Sequence, residues 1–194
     1  TALLVIDIQN TYLDPKDTLE ETSRWQPFYD RMRGTVIPNT ARLIEECRKR
    51  QVEVIFARIA CQKPDGRDRS LDHKLSDMHL PKGSPDAQVI DALAPRENEI
   101  VLPKTSSGVF NSTAIDYVLR NLNTRHLIIC AVETDQCVDM AVRDAADRGY
   151  LVTLVEDACA THTAERHQAC LEAIKGYCWI ADTDSVLARI AALA

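Results

Sequence analysis

Short apolar runs alternate with amphipathic stretches along nearly the whole chain. Six runs have the length and the β-branched content of strands, and several are apolar almost throughout, as in strands that are covered on both faces. They read ALLVID from Ala2, VEVIFAR from Val52, EIVLP from Glu99, HLIICAV from His126, LVTLVE from Leu151 and YCWIA from Tyr177. This pattern predicts a mostly parallel sheet of six strands.

Helices are predicted between the strands, where apolar residues recur three and four positions apart. The predicted helices cover residues 36–50, 86–94, 112–122, 135–149, 164–174 and 184–194. Ser112 is a candidate N-cap, and Gly149 stands where a glycine commonly ends a helix. Together the elements predict one α/β domain over residues 1–194, a three-layer Rossmann-like sandwich with helices on both faces. The first strand starts directly after Thr1, which is compatible with further residues before it in the natural protein.

Two segments interrupt the alternation, residues 10–34 and residues 60–85. Both are polar, rich in turn residues and longer than the usual connection of about two to six residues. Each follows a predicted strand and therefore lies at the carboxyl edge of the sheet. Because open parallel sheets bind ligands beyond that edge, we expect these segments to form lids or pocket walls.

Composition narrows the class of protein. The chain has 194 residues, a net charge of -6 and 45% apolar residues, which favours a globular domain and argues against a nucleic-acid surface. No apolar run approaches the length of a membrane span, and the seven cysteines lack the spacing of a disulfide framework. We therefore expect a soluble cytoplasmic protein with reduced thiols and with no membrane or nucleic-acid partner.

Three reactive residue types follow three different predicted strands. Asp7 ends the first strand, Lys104 follows the third, and Cys137 comes just after the fourth. Taken singly, these residues are equally compatible with a turn aspartate, a solvated lysine and a small buried thiol. Taken together, they place an acid, a base and a nucleophile at one edge of one sheet. A carboxylate accepts the thiol proton, and an ammonium stabilises the thiolate.

Cys137 also lies near the start of a predicted helix. The first four N–H groups of a helix have no intrahelical partners, and such donors stabilise the oxyanion of an acyl-transfer intermediate. Alternatively, the side chain of Thr134 caps one of these groups. The sequence does not separate the two interpretations.

Three motifs, VIDIQN, VLPKTSSGVFNST and AVETDQCVDMAVRDAADRGYLVTLVEDACAT, resemble those of the isochorismatase-like cysteine hydrolases over nearly the whole chain. The resemblance implies a catalytic triad of Asp7, Lys104 and Cys137. It also implies a cis peptide bond between Val132 and Glu133, and an oxyanion hole formed by the backbone N–H groups of Glu133 and Cys137.

Departures from relatives within that family narrow the expected chemistry. Nicotinamidases carry an Asp-x-His metal site after the second strand, and the segment ARIACQKPDG has no such pair. Isochorismatases proper replace the nucleophile, whereas this chain keeps Cys137. The remaining resemblance is to amidohydrolases that act on N-carbamoylsarcosine or ureidoacrylate, the latter being closer in SSGVFNST. Glu133 is unusual, because many relatives have a neutral residue there.

Several further residues are weighed as site candidates. Tyr12, Arg58 and Phe110 flank the motifs and are candidate substrate contacts, with Arg58 suited to a substrate carboxylate. The spacing in CATHTAERHQAC mimics a zinc site, but its second half lies on a helix that must pack, so no metal site is predicted. His73 and His79 lie in the second irregular segment and could contact substrate, but they are interpreted as exposed loop histidines without a role. Cys47, Cys61, Cys130 and Cys178 are interpreted as small apolar residues.

The combined prediction is a hydrolase that cleaves a C–N bond of a small amide or ureide through a thioester on Cys137, without a cofactor. Two alternatives remain. One is an isochorismatase-type or nicotinamidase-type hydrolase, and the other is a non-catalytic binding protein with the same fold. The family resemblance implies a homo-oligomer, either a dimer or a tetramer, and the sequence does not identify the substrate.

Overall fold

A computed structural model describes residues 1–13 and 19–192, with side chains from residue 23 onward in the second range. All six predicted strands are present and form one parallel sheet in the order β3-β2-β1-β4-β5-β6. The predicted fold class is therefore confirmed. The strands are β1 (Ala2–Ile6), β2 (Glu53–Ile59), β3 (Ile100–Lys104), β4 (His126–Val132), β5 (Leu151–Ala160) and β6 (Trp179–Ala181).

The described helices cover both faces of this sheet. They are α1 (Leu19–Arg31), α2 (Ile37–Lys49), α3 (Leu71–Leu75), α4 (Val109–Ser112), α5 (Ile115–Asn121), α6 (Asp139–Asp147), α7 (Ala164–Ile174) and α8 (Thr183–Ala191). A π-helical turn, Met32–Val36, joins α1 to α2, and a second one, Thr134–Val138, leads into α6. We call Thr134–Val138 the nucleophile turn, because it carries Cys137, the predicted nucleophile.

Side-chain alternation along the strands divides the core into two layers. In β1, Leu3 and Val5 pack with α1, α2 and α8, whereas Leu4 and Ile6 pack with α4 to α7. On α2, Leu43, Ile44 and Cys47 recur at helical spacing and are all buried. Full burial of one such aliphatic side chain contributes about 1.5–3 kcal/mol. The two layers hold the carboxyl edge of the sheet in a fixed position.

The topology places a crevice between β1 and β4. The chain runs outward from β1 through β2 to β3 and then returns to build β4, β5 and β6 on the other side. Strand order reverses between β1 and β4, which is where open parallel sheets bind their ligands. Asp7 directly follows β1 and the nucleophile turn follows β4, so these two segments flank the crevice.

Some predicted elements were wrong in detail. Residues 86–94 do not form a helix but two 3-10 turns, Pro85–Ala87 and Asp91–Leu93. Ser112 is the last residue of α4 and not an N-cap, since its hydroxyl donates to the Gly108 carbonyl. Gly149 does follow α6, with a φ of 89° that suits glycine.

The two segments expected to be irregular also contain helices. α1 lies inside residues 10–34, although Pro27 stands within it. Residues 14–18 of that expected lid lie outside the described residues. Segment 60–85 contains α3, and it is anchored by a bridge between Cys61 and Pro81 and by a hydrogen bond from Ser70 N to Thr105 O of 2.9 Å. Within the described part of the chain, no helix is both long and apolar enough to cross a membrane.

Candidate active site

Asp7 reaches the crevice through a sharp turn at the end of β1. Its φ of 57° lies in the left-handed region, which aspartate tolerates better than most residues. Its N–H still donates to Ala57 O of β2, at 2.9 Å. Just beyond it, the buried Gln9 amide bonds both to the backbone of Ile59, at 2.7 and 2.9 Å, and to Ala87 O, at 3.0 Å. These bonds fix the backbone that carries the carboxyl group.

Lys104 is the last residue of β3, an edge strand that tolerates Pro103. The lysine is fully buried, which is rare unless the ammonium is paired. Its Nζ donates to the carbonyls of Ser106, at 2.9 Å, and Ser107, at 3.1 Å. The loop after β3 therefore folds back around the ammonium group and directs it into the crevice.

The three predicted residues meet at this ammonium. Lys104 Nζ lies 2.8 Å from Asp7 Oδ2 and 3.4 Å from Cys137 Sγ. Asp7 and Lys104 are fully buried, and Cys137 is only 4% exposed. The structure thus brings an ion pair and a thiol into direct contact in a site closed to bulk solvent.

Burial dominates the electrostatics of this site. Burial raises the pKa of the Cys137 thiol to about 12, against the opposing effect of the Lys104 charge. Burial likewise raises the pKa of Asp7 above its ordinary value of 3.8, again opposed by Lys104. Burial alone would lower the pKa of Lys104, but its interactions with Asp7 and Cys137 raise it overall. At neutral pH, Cys137 is therefore a thiol next to a buried ammonium.

The nucleophile turn is held by hydrogen bonds that begin at Glu133. The N–H groups of Gln136 and Val138 donate to the Glu133 carbonyl, at 3.1 and 3.3 Å. The peptide bond between Val132 and Glu133 is cis, at the position that the resemblance indicated. Thr134 does not cap the turn with its side chain, because its hydroxyl bonds to His167 Nδ1 at 2.9 Å.

Of the three candidate substrate contacts, only Tyr12 lies at the site. Its pKa is raised well above the ordinary value, first by burial and then by the charges of Cys137, Asp7 and Glu133. The phenol is therefore a neighbour of the nucleophile. Its ring packs 6.0 Å from that of Phe28 on α1, and together they close one side of the crevice.

Arg58 and Phe110 are not brought to the triad. Side chains alternate along β2, so Arg58 lies on the face opposite to that of Lys104, where it donates to Ala87 O and to Gln88 Oε1 at 2.9 Å. Phe110 packs against Tyr150, with ring centroids 6.1 Å apart, near the far end of α6. These placements leave both side chains committed to structural contacts.

The residues that mimic a zinc site have structural partners. His167 bridges Arg31 and Thr134, and Cys170 Sγ donates to the Thr134 carbonyl at 3.2 Å. His162 pairs with Glu133, its Nε2 lying 2.8 Å from Oε2. Among residues 1–13 and 19–192, no group of three or more His, Cys, Asp or Glu could hold a metal ion. The described cysteines are all unpaired.

Sequence reasoning missed His73, Trp25 and His162. The interpretation of His73 as an exposed loop residue was wrong, because α3 folds its imidazole inward to 4% exposure. Burial and then the charge of Lys104 lower the pKa of His73, so it lies near the triad. The rings of Trp25 and His162 pack with centroids 3.8 Å apart and planes inclined by 43°, beside Glu133. Only the order of the segments in space, which the sequence pattern does not give, brings these residues to the site.

With this geometry in place, comparison with known proteins identifies the family. The Isochorismatase domain model matches residues 1–185, so the chain belongs to the isochorismatase family. The predicted family and the prediction of a hydrolase are thereby confirmed. A curated relative, ureidoacrylate amidohydrolase RutB of Serratia proteamaculans, is 29% identical over 212 residues, which cover 99% of this chain and 83% of the relative.

Solved structures share the fold. A cysteine hydrolase from Pseudomonas syringae pv. phaseolicola superposes with a TM-score of 0.82 at 24% identity, covering 98% of this chain and 92% of the other. N-carbamoylsarcosine amidase from Thermoplasma acidophilum gives a TM-score of 0.75 at 22% identity, covering 94% and 96%. At these identities the likeness extends to the architecture alone.

Proposed function

We propose that this protein hydrolyses a C–N bond of a small amide or ureide through a thioester on Cys137. The observation that carries the proposal is the contact of one buried ammonium, that of Lys104, with both Asp7 Oδ2 and Cys137 Sγ. The proposal is also supported by the amidohydrolase and amidase activities named for two of the similar proteins. Because neither name fixes a substrate for this chain, the proposal extends only to this class of bond.

The first step is proton transfer from Cys137 to Asp7 as sulfur attacks the substrate carbonyl. A thiol with a pKa of about 12 holds its proton at rest, so the base must act during the attack. The raised pKa of Asp7 makes its carboxylate a stronger base than an exposed aspartate. The Lys104 ammonium, 3.4 Å from Sγ, stabilises the negative charge that develops on sulfur.

The second step is collapse of the tetrahedral intermediate. Its oxyanion is stabilised by the backbone N–H groups of Glu133 and Cys137, at the start of the nucleophile turn. Protonated Asp7 then donates its proton to the leaving nitrogen, and ammonia or an amine departs. Water, activated by the Asp7 carboxylate, attacks the thioester and restores the thiol. None of these steps requires a cofactor.

Trapping the thioester tests this mechanism directly. Ammonia release from a panel of small amides and ureides identifies a working substrate. Intact-mass measurement during turnover is expected to show wild-type protein carrying the acyl group, and hydroxylamine is expected to convert that group to a hydroxamate. The Cys137→Ala variant should give neither product. Steady turnover by Cys137→Ala would refute the covalent mechanism and favour hydrolysis without an acyl-enzyme.

A further inference from the structure

The Glu133 side chain is a second buried acid beside the nucleophile. It is 5% exposed, and its backbone begins the nucleophile turn. Two donors converge on its Oε2, His162 Nε2 at 2.8 Å and Gln136 Nε2 at 3.0 Å. The hydroxyl of Thr161, at 3.4 Å, donates its one hydrogen to Asp135 Oδ1 at 2.5 Å. No hydrogen bond from the described residues reaches the other oxygen, Oε1. The carboxylate is therefore held in one orientation with one oxygen left for another donor.

A chain of aromatic contacts connects this carboxylate with Tyr12. Tyr12 is close enough to respond to the charges of Cys137, Asp7 and Glu133 alike. Trp25 packs against His162, the partner of Glu133, and also edge-on against Phe28, with centroids 5.4 Å apart. Tyr12 packs on that same Phe28 ring. These aromatic contacts join Glu133 and Tyr12 into one continuous wall.

Glu133 and Asp7 have different ionic partners, since Glu133 pairs with the His162 imidazole at 2.8 Å. Lys104 neutralises Asp7 at 2.8 Å. Arg58, the residue predicted to hold a substrate carboxylate, lies on the opposite face of the sheet with its own partners. The described charged side chains that contact Cys137 are thus an ion pair.

We propose that the Glu133 carboxylate determines specificity, selecting substrates whose remote end is a neutral N–H donor or a cation and rejecting those that end in a carboxylate. This inference rests on the proposed function and names its substrate class. A primary amide, ureide or ammonium group donates to Oε1, whereas a substrate carboxylate has no proton to donate there and meets a like charge.

Alkylation of Cys137 measures the selectivity between neutral and anionic reagents, and it does not require turnover. Iodoacetamide and iodoacetate undergo the same displacement, in which the S–C bond forms as iodide leaves, but they differ in charge. Peptide mass spectrometry gives the alkylation rate of Cys137 with each reagent. The ratio of these two rates is divided by the same ratio measured with neutral 2-mercaptoethanol. We expect wild-type protein to prefer iodoacetamide about tenfold beyond that reference, and Glu133→Gln to remove most of the preference.

Two controls isolate the effect. Glutamine keeps the length and one acceptor oxygen of Glu133, so the bond from Gln136 is retained. Glu165→Gln removes the same unit of charge from the exposed first turn of α7 and should leave the ratio unchanged. An unchanged ratio in Glu133→Gln would overturn the inference, as would a folded wild-type protein whose Cys137 reacts with neither reagent.

A pair of substrates separates this inference from the proposed function. Succinamide and succinamate carry the same scissile amide and end in a neutral amide and a carboxylate, respectively. We expect kcat/KM to favour succinamide, and Glu133→Gln to reduce that preference by about tenfold. If alkylation shows the selectivity but neither compound nor any other amide releases ammonia, the proposed function fails while the inference stands. Equal kcat/KM values for the pair in wild-type protein would contradict the inference alone.

Discussion

Cys137 follows β4, and Cys159 lies near the end of β5, so the two thiols occupy adjacent strand ends at one edge of the sheet. Both are buried, and burial raises the pKa of both to about 12. Their difference lies in what surrounds the sulfur. Cys137 contacts the buried ammonium of Lys104, which is paired with Asp7. Cys159 lies in the same core layer, packed among apolar residues.

This comparison shows that a resting pKa does not identify a nucleophile. A high thiol pKa is the ordinary result of burial, and it makes most buried cysteines inert. At Cys137, a proton acceptor and a fixed cation are already in contact with the sulfur, so the thiolate is stabilised at the moment it forms. The two thiols therefore differ in the charged groups that contact the sulfur and not in their resting pKa.

Removing each thiol in turn tests the contrast most strongly. We expect Cys137→Ala to lower kcat/KM for the working substrate at least about 10⁴-fold, because no nucleophile remains. Cys159→Ala should keep kcat/KM within a few-fold of wild type and cost about 1 kcal/mol of unfolding free energy. Ammonia release and urea unfolding measure the two effects. Equal losses of activity in the two variants would mean that Cys137 has no special role.

The next prediction concerns the ion pair between Asp7 and Lys104, beside Cys137. Asp7→Asn leaves the buried Lys104 ammonium without its counter-charge, so we expect a loss of about 3–5 kcal/mol in unfolding free energy together with loss of turnover. The double variant Asp7→Asn/Lys104→Met removes the unpaired charge as well.

Stability and activity should then separate. The double variant is expected to recover most of the unfolding free energy, since a neutral buried pair needs no counter-ion, while its turnover stays absent. Urea unfolding and ammonia release on the three proteins decide the point. A double variant less stable than Asp7→Asn alone would show that the pair is not electrostatically coupled.

The residues around Cys137 differ in how well the sequence predicts their positions. Asp7, Lys104 and Cys137 each follow a strand whose apolar run is unmistakable, and parallel strands bring their carboxyl ends to one edge. Strand periodicity therefore predicts that these three residues meet at one edge, whereas their roles as a triad are what the family resemblance implies. Arg58 was misplaced because a one-residue step along β2 reverses the face on which a side chain lies.

The walls of the crevice could not be predicted in the same way. His73 lies on α3, a five-residue helix in a polar segment, and only its docking on the loop after β3 buries the imidazole. Trp25 lies on α1, which contains a proline that argues against a helix. Such contacts depend on how segments distant in the sequence pack, and no local pattern encodes that packing.

The smallest expected effect is on the pH dependence of stability. It concerns the hydrogen bonds through which Arg31 and His167 connect the end of β5 with the nucleophile turn after β4. Arg31 donates to the Cys159 carbonyl at 2.9 Å and to His167 Nε2 at 3.1 Å. Because the guanidinium is only a donor, His167 Nε2 must accept, and its Nδ1–H donates to Thr134 at the start of the nucleophile turn. Burial, and then the charge of Arg31, lower the pKa of His167 from 6.5 to about 4.

A depressed histidine pKa makes stability fall as the pH falls. Between pH 6.5 and about 4 the unfolded chain binds a proton on His167 that the folded chain does not, so folding loses about 2–3 kcal/mol across that window. His167→Gln keeps one acceptor and one donor without titrating, and we expect it to flatten this part of the stability curve. Urea unfolding at pH 7 and pH 4.5 measures the difference. Exposed His79→Gln is the control, and a wild-type slope retained in His167→Gln would show that the link between the two strand ends does not depend on a neutral imidazole.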